Sequence, residues 1–147
     1  MVLAETAMIE PDEEVRRELF EESNERFQAS LQLHGDDPQS LVMWSDVLIN
    51  QVILLEDVDE EAFLQQAISM SLQAESSVSG IGSIAIARAA SLQGDTKLVK
   101  KWLRYASITG NLSSMDALVH DPAFSSLVAI DWFSDLLGSS HAMSVVD

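Results

Sequence analysis

Cysteine is absent from the 147 residues, which excludes a disulfide framework and any thiolate metal site. Glycine (6) and proline (3) are scarce, too few for the many tight turns of an all-β domain. Aromatic residues make up only 6%, so an apolar core must be built mainly from aliphatic side chains and alanine. Cations are also few. There are 8 Lys and Arg against 24 Asp and Glu, a formal net charge of −16. Such a chain repels phosphate backbones and anionic lipid, which excludes nucleic acid and membrane surfaces as expected partners. No long apolar run is present either. The longest, Leu41 to Leu55, is interrupted by Asp46, Asn50 and Gln51, so no membrane insertion is expected. The start of the chain, MVLAETAMIEPDEE, lacks the cationic flank of a secretory leader, and its acidity disfavours an organellar one. A soluble, intracellular, cytoplasmic protein is the expectation.

The acidity is concentrated in one half: residues 1–61 hold 17 acidic and 3 basic side chains, residues 62–147 hold 7 and 5. A solvated acidic surface accounts for this, and electrostatics would favour a basic partner. Helix signals recur through the whole length. Residues 1–10 read as a flexible tail. Pro11–Glu14 opens a helix with acids in its first turn, and Val15, Leu19, Phe20, Phe27, Leu31 and Leu33 form its apolar stripe. Asp37-Pro38 joins an N-cap acid to proline at the first helical position and starts a second helix, apolar on most sides, to about Leu55. EDVDEE (56–61) is an acidic turn without the spacing or glycine of a calcium loop. A third helix follows it to about Gln73, then a serine-rich loop expected to be poorly ordered. Ser83–Gly110 reads as a helical hairpin bent at Gly94-Asp95. Short helical turns follow, near 114–118, 123–127 and 132–137, and residues 138–147 read as a tail. Nothing alternates long enough to make a strand.

The hairpin places Ile86 and Ala87 before the Gly94-Asp95 turn, with Leu103 and Ala106 after it. Alanine lets two helices approach, and the large residue fills the neighbouring gap. Trp44, Leu64 and Ala67 repeat the arrangement one unit earlier, after Pro38. This layout resembles the tetratricopeptide repeat, a helix–turn–helix unit that stacks into a superhelix. Two units are recognised, about 38–74 and 80–110. They depart from the pattern at Leu48, at Leu55-Glu56 in place of the Gly-Asp turn, and in their 39-residue spacing. Residues 113–137, with Asp121-Pro122 and Phe124, resemble the short segment that caps some repeat arrays. The expected fold is thus all-α: antiparallel hairpins stacked as a short tetratricopeptide-like α-solenoid with short C-terminal capping helices, one domain over residues 11–137. Other α-solenoids share Ala-rich seams and remain an alternative.

The resemblance implies a concave groove lined by Val42, Ser45, Ile49 and Val52, then Ile84, Arg88 and Ser91. Such a mostly aliphatic lining suits an amphipathic helix or an apolar extended segment of a protein or peptide partner, unless the N-terminal helix or tail fills it. Lys97, Lys100, Lys101 and Arg104 share one face of the hairpin's second helix. They make a solvated face, a site for an acidic peptide, or a surface for this chain's own acidic half or a second copy. The histidines, His34, His120 and His141, read as isolated surface residues, and no nucleophile, phosphate loop or metal motif is present. No enzyme activity, cofactor or metal is expected. A protein- or peptide-binding adaptor is the leading expectation, with a structural or regulatory subunit using its terminal or convex faces as the alternative. Self-association is left open.

Overall fold

Capping chemistry sets most helix boundaries. Eight α-helices and one 3-10 turn account for the secondary structure, and no strand occurs among the described residues. The computed structural model describes the backbone of residues 2–146 and the side chains of residues 3–138. Helix α1 spans Val2–Ile9, α2 Glu13–His34, α3 Pro38–Leu54 and α4 Glu60–Glu75. Then come α5 Ser83–Gln93, α6 Thr96–Thr109, α7 Met115–His120, the 3-10 turn Pro122–Phe124, and α8 Asp131–Val146. Side-chain carboxylates of Asp12, Asp37, Asp59 and Asp95 accept hydrogen bonds from backbone N–H groups in the first turns of α2, α3, α4 and α6. Caps of this kind stabilise a helix by about 1 kcal/mol each. Gly94, left-handed at φ 80°, ends α5, and the Asp95 N–H returns to the Ala90 carbonyl at 2.9 Å.

Successive helices pack as neighbours: α1 on α2, α3 on α4, α4 on α5, and α5 on α6. Three apolar clusters follow in chain order. Ala4, Ala7, Phe20, Phe27, Val47 and Leu55 join α1, α2 and α3. Leu48, Ile49, Leu64, Ala67, Ala85 and Ala89 are central to the cluster of α3, α4 and α5. Ala87, Ala90, Leu103, Phe124, Phe133 and Leu137 join α5 and α6 to the C-terminal segment. Each fully buried large side chain, such as Leu103, contributes about 1.5–3 kcal/mol. Leu118 and Phe124, from the C-terminal segment, are buried in the last cluster.

Two segments read as tails are helical. Residues 2–9 form α1, with Ala7 wholly and Ala4 almost wholly buried. Their small side chains let α1 lie close on its neighbours, a pattern too short and too weakly amphipathic to stand out in the sequence. Arg16 fastens this helix. Its Nε and Nη2 donate to the Glu10 carbonyl (2.9 and 2.7 Å), and its Nη1 donates to the Leu54 carbonyl at 3.1 Å. A cation thus meets the carbonyl ends of α1 and α3, where the helix dipoles favour it. At the other terminus the backbone of α8 stays helical to Val146, through most of the expected tail.

The serine-rich loop is not loose. The Glu75 carboxylate accepts from the Gly80 and Gly82 N–H groups at 2.8 and 2.6 Å, folding the loop back on α4. A Cβ at Gly82 would stand 2.6 Å from the Ser71 carbonyl oxygen, so glycine is what lets α5 begin so close to α4.

Candidate functional site

Arg88 of α5 is the point at which separate parts of the chain converge. Its Nη1 donates to Asp46 Oδ1 at 2.9 Å and its Nη2 to Asn50 Oδ1 at 2.8 Å, both on α3. Its Nε donates to Asp121 Oδ2 at 2.9 Å, at the junction of α7 with the 3-10 turn. Asp121 is itself held, because its Oδ1 accepts from the Ala123 N–H at 2.9 Å. The Arg88 side chain is only 11% exposed and that of Asp121 17%, so this pair is shielded, whereas Asp46, at 44%, keeps part of its contact with water. Burial pushes the Asp46 carboxyl above the usual carboxylate range. Arg88 pulls it back through charge and hydrogen bonding, and Asp121 adds a smaller upward push.

An open cleft of about 310 Å³ lies against this network. Met8 of α1 stands on one side, and Ala117 and His120 of α7 on the other. Asn50, Ile53 and Leu54 of α3, with Arg88, Asp121 and Pro122, complete the lining. The Asn50 side-chain amide also reaches the Met8 sulfur at 3.6 Å. Chemically the cleft combines apolar walls with one fixed cation, Arg88, paired to the lining carboxylate of Asp121. A second cavity, about 270 Å³, opens beside α1, α2 and α3. Its charged lining residue, Arg26, pairs with Glu22 at 3.0 Å.

Arg88 is the one expected groove residue that lines the cleft. Ser45, Ile49, Val52 and Ser91 are buried, while Val42 and Ile84 are half-buried against the apolar clusters. Ser45 donates to the Leu41 and Ala67 carbonyls at 2.9 and 3.0 Å, stitching α3 to α4. The expected aliphatic groove is therefore core. The open face of α3 lies about one residue further round, at Asp46, Asn50 and Ile53. One step along a helix turns the side chain by about 100°, enough to exchange groove for seam. The signal available in the sequence was the pair Asp46 and Asn50, one turn apart within an apolar run, with Arg88 as the one cation of α5.

The basic stripe divides. Lys97, Lys101 and Arg104 are exposed, whereas Lys100 is half-buried with its Nζ 4.8 Å from the centre of the Trp132 ring on α8. Lys101 Nζ lies 5.4 Å from the Trp102 ring. Among the described residues none of the four forms an ion pair, so the acidic half of the chain does not neutralise them.

His120 is not isolated: the carboxylate of Asp116, one turn earlier, is 3.3 Å from its Nδ1. Both are well exposed, and among the described residues no group of three or more His, Asp and Glu side chains is placed to hold a metal. The side chain of His141 lies outside the described residues. Among the described residues no helix is long and apolar enough to cross a membrane.

Comparison with family models, curated proteins and solved structures finds no match for this chain, so the tetratricopeptide resemblance gains no support there.

Proposed function

We propose that the chain is a protein-binding module, a short tetratricopeptide-like array of helical hairpins that receives a segment of a partner in the cleft between α1 and α7. The observation that carries this reading is the cleft itself: about 310 Å³, apolar on its walls and backed by Arg88, whose guanidinium is fixed by side chains from two other segments. A preorganised polar group inside an apolar recess fixes the orientation of a bound segment at little entropic cost.

Ala117 is exposed and lines the cleft from α7, so Ala117→Arg fills and charges the recess without touching the core. The expected result is loss of the partner with unchanged helicity by circular dichroism. Retention of every partner at unchanged affinity would contradict the reading.

A second reading, a subunit of a larger assembly, draws on exposed apolar side chains at helix ends. Ile9, Leu33 and Ile108 are each at least 80% exposed. Obligate co-purification with other chains, undisturbed by Ala117→Arg, would favour it.

A further inference from the structure

Two helices carry exposed rows of opposite charge with the same spacing. On α6, Lys97, Lys101 and Arg104 are exposed and lie four and then three residues apart, which puts them in one row. Ile108, 80% exposed, continues that row one turn further. On α2, Glu14, Glu18, Glu21 and Glu25 are exposed and repeat the spacing. Among the described residues none of these seven charges forms an ion pair. The rows do not meet within one chain, because α2 packs on α1 and α3 whereas α6 packs on α5 and α8.

Neither row serves its own helix. Like charges one turn apart repel, and Lys97 stands in the first turn of α6, where the helix dipole disfavours a cation. Setting one row against the other relieves the repulsion in both. The lengths allow it: at 1.5 Å per residue the cations span about 10.5 Å and the acids about 16.5 Å.

We propose that the exposed face of α6 is a docking surface for a second copy of this chain, whose α2 lies along it. The glutamate row of that copy faces Lys97, Lys101 and Arg104, and Ile108 is removed from water. The contact joins unlike surfaces, so it can repeat from copy to copy. A net charge of −16 on each copy opposes the approach, which keeps the association weak and makes it depend on salt in two directions. The overall repulsion is long-ranged and is screened near 0.1 M salt, where the Debye length is about 10 Å. The row-to-row contacts are short-ranged and weaken only towards about 1 M, where it is about 3 Å.

Sedimentation velocity of the full chain reads this out. At about 100 mM NaCl the average mass should rise with protein concentration, and the dissociation constant should be about threefold higher or more at both about 10 mM and about 1 M. The α6 variant Lys97→Glu, Lys101→Glu, Arg104→Glu and the α2 variant Glu14→Lys, Glu18→Lys, Glu21→Lys should each self-associate about tenfold more weakly. Mixed in equal amounts, they should associate within about threefold of the parent, because each row again meets its opposite. Three reversals change the net charge by six, leaving −22 and −10, so attraction between whole molecules does not explain recovery. Replacing the α2 variant by Glu60→Lys, Glu61→Lys on α4, both exposed, should give no recovery. Circular dichroism and melting temperature verify folding, and the milder Lys97→Gln, Lys101→Gln should weaken self-association about threefold.

A parent that stays monomeric at about 1 mM overturns the second copy as occupant. If it then binds a fluorescein-labelled glutamate-rich helical peptide that the α6 variant does not, the row serves a different acidic protein. Failure of the two folded variants to recover on mixing overturns the proposal, as does equal recovery with the α4 variant. None of these residues lines the cleft, so such a failure leaves the reading of the cleft untouched.

Discussion

Arg88 is held by side chains from two other segments of the chain, and its removal would strand two carboxylates that now share one cation. Breaking a shielded ion network from one side is costly because the remaining charges keep their desolvation without compensation. Arg88→Met is therefore expected to destabilise the fold by about 3 kcal/mol near neutral pH, measured by urea unfolding. The loss should shrink towards pH 4, where the stranded Asp46 carboxyl takes up a proton. Asp46→Asn should behave differently. Burial holds the Asp46 proton more tightly in the folded chain than in the unfolded one, so this group adds stability at low pH. That stability is lost as pH rises from about 3.8 through the raised pKa. The variant lacks this loss, so its stability relative to the parent should improve between pH 4 and 7. A relative decline over the same range would contradict the assignment of burial as the dominant effect on Asp46.

At the scale of elements, the longer helices were legible because each carries its own boundary chemistry. Asp37-Pro38 and Gly94-Asp95 mark ends through local capping, which needs no tertiary context. Helix α1 was not legible, since what orders it lies elsewhere: the faces of α2 and α3 that accept Ala4 and Ala7, and the guanidinium of Arg16. The cleft was half legible for a related reason. Its arginine was identified from a repeat-like register, but α3 is apolar on most sides, so periodicity alone does not separate its seam from its open face. If α1 is docked as described, Ala7→Asp places a carboxylate in a fully buried site and should release the helix. Hydrogen exchange should then rise across residues 2–9 while α3 to α6 keep their protection. Unchanged protection of α1 would show that Ala7 does not anchor it.

For the molecule as a whole, the dominant quantity is the net charge of −16, concentrated before residue 62. Three of the eight cations lie in that half. Arg16 and Arg17 donate to backbone carbonyls at helix ends, and Arg26 pairs with Glu22 on the outside of α2. Exposed acids therefore repel one another across α2 and the turn before α4, and salt should relieve that repulsion. The melting temperature is expected to rise between 10 mM and 150 mM NaCl, and a fall would mean that attractive surface pairs prevail. The composition made this property legible from the start, but not where a partner would bind. The central claim is that recognition occurs in the cleft between α1 and α7. It is tested most directly by a photo-crosslinking amino acid placed at Ala117, inside the cleft, or at Ser69, exposed on α4 outside its lining, and activated in native extract. The account predicts a discrete crosslinked partner from position 117 and none of that mass from position 69. Partner crosslinks confined to position 69 would contradict it.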